Sequence, residues 1–353
     1  MKSKVFFFIG TKAQALKCLP LIKYLSNDHD VIIIDSGQHR KILDSIYSEA
    51  DLKIKWHYLS NNQDNISTYK SGLIWFFKLL ISTLSDRTFN KCKSICIIHG
   101  DTGSTLLGLI WAKRNGIQAV HLESGLTSKK ILDPFPEEII RRIVARFSNI
   151  LICFDNKSFQ NLMNNYQNKK KFIKQVSENT ISELLNTDKV EHDSKLITVT
   201  MHRTENLISK KNFKQFTKML NELSNKYKIN WYLHEPTENY LNKYKINLSK
   251  NISTLPLLKH KDFISELKKS GFVITDGGSI QEECYFLKIP TIIWRKNTER
   301  PYALNENMLV SEFNIQRSYQ FIEDNINKFL VLEELNFSPS EEIYLFLKSK
   351  NLL

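Results

Sequence analysis

The sequence predicts an α/β protein built from two doubly wound domains, and three observations carry that prediction. Short apolar runs without polar alternation recur along the chain, helix-length segments separate most of them, and a polar Asn- and Lys-rich stretch at 164–174 interrupts the pattern before it restarts. Strands buried on both faces read as unbroken apolar runs, and helical crossovers between them make a parallel sheet. A length of 353 residues, near twice that of a usual domain, favours two cores over one.

Taken in order, strands are expected at 5–9, 31–34, 94–98, 119–122 and 150–154, and then at 196–200, 229–233, 252–255, 271–275 and 290–294. This gives one Rossmann-like domain over 1–175 and a second over 176–353, with the last helix returning to the first domain. If the two faced each other across a cleft, the carboxyl ends of their strands, where open α/β sheets bind ligands, would line one site. The loops after strands are therefore the places to look for chemistry.

Composition narrows the classes. Hydrophobic residues make up 42% and charged residues 25%, as in globular proteins. The net charge of +13 suits an anionic partner. Most of the excess is lysine scattered in loops, which reads as a solvated surface, and no nucleic-acid partner is expected. The apolar run at 5–9 is too short for a signal-peptide core and is followed by Gly10, so it reads as a first strand and the expected location is the cytoplasm. The segment 72–84 (GLIWFFKLLISTL), broken only by Lys78, is either a buried helix or one lying on a membrane surface or a partner. Five dispersed cysteines argue for reduced thiols. Cys92 and Cys96 have no histidines at ligand spacing, so neither a metal nor another cofactor is expected.

Several strand-following loops carry reactive side chains. Gly10-Thr11-Lys12 enters a helix with Lys12 and Lys17 both available to an anion, or is a plain βα turn with surface lysines. In His99-Gly100-Asp101-Thr102, Asp101 is either the N-cap of the next helix or a catalytic group. Glu123, after the following strand, lacks the amphipathic context of a solvated charge. Glu137 and Glu138 open a helix after Pro134 and Pro136, with Arg141 and Arg142 one turn on; either glutamate is catalytic or serves the helix N-terminus. Carboxylates at consecutive strand ends would share one rim, as paired acid–base work requires.

In the second half, His202 and Arg203 follow a strand and could neutralise a phosphate or shuttle a proton. Residues 273–287 read as strand, tight turn and helix: Val-Ile-Thr, Asp276-Gly277-Gly278-Ser279, then Ile280 onward. Unpaired amides at a helix start, together with its dipole, form an anion site, and glycines let a phosphate approach the main chain.

With these motifs in place, the chain resembles the UDP-N-acetylglucosamine 2-epimerase family, which has the two-domain glycosyltransferase-B architecture. The resemblance runs from GTKAQALKCLPLI (10–22) through SGQHR (36–40), HGDTGST (99–105), HLESGL (121–126), PFPEEIIRR (134–142) and MHRTEN (201–206) to TDGGSIQEE (275–283) and TERP (298–301). It implies a UDP-sugar substrate with its diphosphate on Gly277, Gly278 and Ser279, its ribose on Glu283 and its uracil near Phe263. It also implies Asp101, Glu123 and Glu137 as the catalytic carboxylates, His202 at the diphosphate or leaving group, and Arg141 in support. A homodimer is expected.

The chain departs from the family pattern at several points. Lys12-Ala13-Gln14 stands where Arg-Pro-Glu is usual, Thr127 where an arginine is usual, and Gly-Gly-Ser at 277–279 where Ser-Gly-Gly is usual. Gln38, His39 and Arg203 match part of a second, regulatory UDP-sugar site, whereas Lys41 replaces its expected glutamine. The function so implied is epimerisation at C2 of a UDP-N-acetylhexosamine for surface polysaccharide synthesis, with the non-hydrolysing branch favoured by Gln38-His39. The alternative is a glycosyltransferase of the same architecture acting on a membrane-linked acceptor, motivated by the 72–84 segment and the altered first loop.

Overall fold

The computed structural model describes residues 3–353 except 38–39, 51, 53, 61–68, 91, 129–134, 186–189, 299–303, 305–306, 327 and 329–337, with backbone alone at 41–42, 69–73 and 75. Gln38, His39, Asp133, Pro134 and the 299–301 part of the last motif thus lie outside the described residues. The chain divides into two compact units, residues 1–183 with 336–353, and residues 184–335.

The first unit alternates strand and helix: β1 (Lys4–Ile9), α1 (Lys12–Leu25), β2 (Asp30–Asp35), α2 (Arg40–Glu49), β3 (Lys55–Tyr58), α3 (Tyr69–Ser85), β4 (Ile95–His99), α4 (Gly103–Arg114), β5 (Gln118–Leu122), α5 (Glu137–Phe147), β6 (Ile150–Cys153), α6 (Asn156–Tyr166) and β7 (Phe172–Gln175). Its sheet is parallel throughout, in the order β3-β2-β1-β4-β5-β6-β7. Central strands are apolar along their whole length, as burial between two helix layers requires: Val5 to Ile9 and Ile95 to Ile98 are at most 1% exposed.

A 3-10 turn (Thr180–Leu185) leads to the second unit. It contains β8 (Asp193–Met201), α7 (Thr204–Ile208), α8 (Lys210–Leu223), β9 (Lys228–Leu233), α9 (Glu235–Lys243), β10 (Ile252–Pro256), α10 (His260–Lys269), β11 (Ser270–Thr275), α11 (Gly278–Phe286), β12 (Thr291–Ile293), β13 (Met308–Val310) and α12 (Ile315–Asn325). The parallel order β10-β9-β8-β11-β12-β13 repeats that of the first unit. The last helix, α13 (Pro339–Ser349), belongs to the first unit. Its Tyr344 ring lies 5.4 Å from Tyr24, and Ser340 N donates to Glu183 Oε1 at 2.7 Å.

In both sheets the strand order reverses beside the first strand of the unit, between β1 and β4 and between β8 and β11. At such a switch point the two flanking loops leave in opposite directions and open a crevice at the strands' carboxyl ends. The loops concerned are those at Gly10 and Asp101 in one unit and at His202 and Gly277 in the other.

The 72–84 segment forms α3, but the expectation of a buried helix is met on one side only. Leu79 is 1% exposed, whereas Ile74, Phe77, Ile81 and Leu84 are 58%, 60%, 68% and 44% exposed. Among the described residues no helix is long and apolar enough to cross a membrane, and the five cysteines are free.

Candidate active site

In the first unit the site is built on three strand ends. Gly10 has no side chain because none fits: a Cβ there would lie 2.5 Å from Ser104 Cβ and 2.6 Å from Ser36 Oγ. Gln14, 2% exposed, ties the two switch-point loops together. Its Oε1 accepts from the Gly10 and Thr11 amides (3.0 and 3.2 Å), and its Nε2 donates to His99 O and Thr105 Oγ1 (2.8 and 3.0 Å).

Asp101 does not cap α4. Thr102 does, in a capping box with Thr105, so the Asp101 carboxylate is left for other work. Arg141 Nη2 donates to it at 2.5 Å. Burial pushes the Asp101 carboxyl above the ordinary carboxylate range; Arg141 pulls it down, while the charges of Glu123 and Glu137 push it up. These effects place the three carboxylates in one electrostatic neighbourhood.

Glu123 leaves β5 with φ of +59°, a left-handed conformation that strains a residue with a long side chain. Lys17, expected beside Lys12 on an anion, is 2% exposed and donates to Glu123 Oε1 at 2.5 Å, while Lys12 is exposed at the start of α1. Glu123 Oε2 lies 3.7 Å from His99 Nδ1. The neighbouring His121 is pulled down to about 4 by burial, so it is neutral at pH 7 and holds Gly100 O through Nε2 at 2.8 Å.

The two glutamates opening α5 have separate roles. Glu138 is fully buried and accepts from Thr127 Oγ1 (2.6 Å), Ser128 N (3.1 Å) and Arg142 Nε (3.0 Å), with Arg141 Nη1 at 3.4 Å. These partners hold its carboxyl below the ordinary range against the opposing effect of burial. Glu138 is thus a structural anchor that aims Arg141. Glu137 is half-buried, and its Oε2 has no hydrogen-bond partner among the described residues.

In the second unit the organising group is Asp276, fully buried at the end of β11. It accepts from the His202 and Arg203 amides (3.0 and 2.9 Å) and from Asn206 Nδ2 (2.9 Å), and His202 Nδ1 lies 3.3 Å away. A Cβ on Gly277 would come within 3.1 Å of His202 Cε1, so the absence of a side chain there lets the imidazole lie on the turn. The Gly277 N–H donates to Thr275 Oγ1 at 3.0 Å, and α11 begins at Gly278.

Glu283, one turn into α11 and 3% exposed, pairs with His260 Nε2 at 2.9 Å. Phe263, one turn further along α10, packs edge-on to Tyr232 at 5.5 Å between ring centroids. The Arg203 side chain reaches Glu205 at 3.4 Å. Sequence reasoning missed Asp276 as the organiser, His260 as the partner of Glu283, and Gln14 as the tie between loops. Asp276 carried a signal, a polar residue at the end of a buried strand, which does not reveal the partner; Gln14 and His260 lie in the first turns of α1 and α10, where a polar side chain is unremarkable. Among the described residues no group of three or more His, Cys, Asp or Glu could hold a metal ion.

Two Rossmann-like units of the same strand order, one with carboxylates gathered at its strand ends and the other with a glycine-turn helix start beside a histidine, define the glycosyltransferase-B class of sugar-nucleotide protein. The UDP-N-acetylglucosamine 2-epimerase family model matches residues 23–346, and the chain belongs to that family. It is similar to the UDP-N-acetylglucosamine 2-epimerase of Campylobacter jejuni, 30% identical over 88% of this chain and 85% of the relative. A solved S. aureus MnaA–UDP co-structure is 25% identical, with a TM-score of 0.79 over 100% of this chain and 98% of the other. The Methanocaldococcus jannaschii UDP-GlcNAc 2-epimerase in complex with UDP-GlcNAc and UDP shares the fold, at 24% identity and a TM-score of 0.77 over 99% and 100%.

Proposed function

We propose that this chain interconverts UDP-N-acetylglucosamine and its C2 epimer by eliminating UDP and adding it back. The observation that carries the reading is the acidic trio of the first unit: Asp101 on Arg141, Glu123 on Lys17, and Glu137 with a buried oxygen that has no hydrogen-bond partner among the described residues. The activity named for the C. jejuni relative and the UDP of the S. aureus structure support the same substrate class.

The chemistry needs such a set. The C2 hydrogen is not beside a carbonyl, so a carboxylate cannot remove it directly at neutral pH. Lengthening the C1–O bond first builds positive charge at C1 and acidifies that proton. The C2–H pair then becomes the C1–C2 double bond, the proton goes to a carboxylate, and the C1–O pair leaves on UDP. In the return direction a carboxylate on the other face protonates C2, and a UDP oxygen bonds to C1. Two carboxylates on opposite faces are the minimum, with cations to keep them ionised and close at hand.

The second unit supplies the nucleotide site in this reading. The α11 start at Gly278 and Ser279 takes the diphosphate, His202 steadies the departing charge, Glu283 takes the ribose and Phe263 lies by the uracil. UDP is retained and returned to the sugar, the non-hydrolysing course. The chain acts as a homodimer through the exposed stripe of α3 at Ile74, Phe77, Ile81 and Leu84.

The products test the reading. With UDP-N-acetylglucosamine alone, separation of the mixture should give two UDP-hexosamines and little free UDP. Free N-acetylmannosamine and stoichiometric UDP would replace the non-hydrolysing course with hydrolysis. No turnover until a lipid acceptor is added would replace the epimerase with a transferase.

A further inference from the structure

We propose that the groove between α5 and α6 binds a phosphate monoester of sugar size, at a site separate from the one assigned to the nucleotide. The groove encloses about 470 Å³, within the span of roughly 300–1,000 Å³ typical of small-molecule sites. Glu138, Arg141, Arg142 and Ala145 recur at helical spacing on α5, and Asn161, Leu162, Asn165 and Tyr166 do so on α6, so two helix faces line it.

The lining is rich in donors. Arg141, Arg142 and Arg146 contribute three positive charges, against Glu138 in the lining and Asp101 on Arg141, a balance of +1. The Glu138 oxygens are already taken by Thr127, Ser128 and the first two arginines. Among the described residues no carboxylate lies within ion-pair distance of Arg146. Asn161 and Asn165 each donate once, to Gly125 O at 3.1 Å and to Asn161 O at 2.7 Å, and each amide has a second N–H to give. The Tyr166 hydroxyl stands in the field of Arg142 and Arg146.

This inventory selects the ligand class. Guanidinium forks match a phosphate's paired oxygens better than any neutral group, and the net positive lining, with Arg146 apart from every carboxylate among the described residues, favours an anion. A bare phosphate would fill little of the groove, whereas Ala145 and Leu162 offer apolar floor to a carbon skeleton. The positive field extends past the groove: Lys171 is pushed down to about 8 by burial and by Lys113, Lys169 and Arg146. Arg141 is shared, with Nη2 on Asp101 and Nη1 towards Glu138, so the test leaves it alone. Arg146 touches none of the residues assigned to catalysis and is exposed.

The experiment is calorimetric titration of glucose 6-phosphate, inorganic phosphate and glucose into the full chain held in saturating UDP. One equivalent of glucose 6-phosphate should bind, tighter than inorganic phosphate, with glucose not binding. Arg146→Ala and Asn165→Leu should each weaken it at least tenfold without changing UDP affinity. Loss of binding under UDP, equal binding to Arg146→Ala, or inorganic phosphate binding tighter than the sugar phosphate would each overturn the proposal. None of these readouts depends on epimerase activity, so the two readings fail separately.

Discussion

Glu137 and Glu138 are adjacent, identical in chemistry and opposite in surroundings: one has a carboxylate oxygen with no partner among the described residues, the other is hydrogen-bonded on all sides. Glu138 accepts from two loop donors and two arginines in a fully buried position, so Glu138→Ala strands donors and a guanidinium together. It should lower unfolding free energy by about 3 kcal/mol in urea titration. Glu137→Gln should leave stability within about 0.5 kcal/mol but reduce kcat/KM by about a hundredfold or more. The reverse pattern would exchange their roles. Arg141→Gln removes the group that holds the Asp101 carboxyl down, leaving burial, Glu123 and Glu137 to push it up. The acidic limb of the kcat/KM profile should then move to higher pH, and an unmoved limb would mean that Asp101 is not the titrating base. The residue types at these positions were legible in the sequence, but the division of labour was not. Thr102 caps α4 through its near neighbour Thr105, Glu138 is held by the 127–128 loop and by Arg141 and Arg142, and Asp101 meets Arg141 forty positions on; residue type alone does not reveal which of these pairings forms.

At the scale of elements, the central strands were plain in the sequence because burial on both faces leaves unbroken apolar runs. The strands that escaped notice are β3, β7 and β13, all at sheet edges. Edge strands face water on one side, so Lys-Trp-His-Tyr and Phe-Ile-Lys-Gln carry no clear apolar run, and β13 is only three residues long. Helix α3 is the converse case: its sequence is apolar enough for a core, yet four large side chains lie open along one stripe. Phe77→Glu should halve the mass found by light scattering while circular dichroism is unchanged. A wild-type monomer that floats with anionic vesicles would instead assign the stripe to a membrane surface.

For the whole molecule, both units use the same strand order, with the loops of Asp101 and of His202 and Gly277 beside the reversal and Glu123 one strand further on. In the proposed function one unit supplies carboxylates and the other a helix start, and this split has a thermodynamic signature. Asp101→Asn should abolish turnover while leaving UDP affinity within about tenfold, because the proposed function puts the nucleotide's partners on the second unit. Collapse of UDP binding in that variant would make Asp101 a structural group. The order of the motifs was readable from the chain alone, since each loop follows an apolar strand. The partnerships of Asp276 with the His202 loop and of Gln14 with the Asp101 loop were not, because they join residues 70 to 74 and 85 to 91 positions apart.

In the proposed reaction a proton leaves C2 and another is returned there. Incubation with UDP-N-acetylglucosamine in deuterated water, read by proton and carbon NMR at C2, tests it directly. Deuterium should enter C2 of both epimers, at a rate that falls away in Asp101→Asn. Formation of the epimer with C2 still fully protonated, or steady UDP release with no label in the recovered sugar nucleotide, would contradict it.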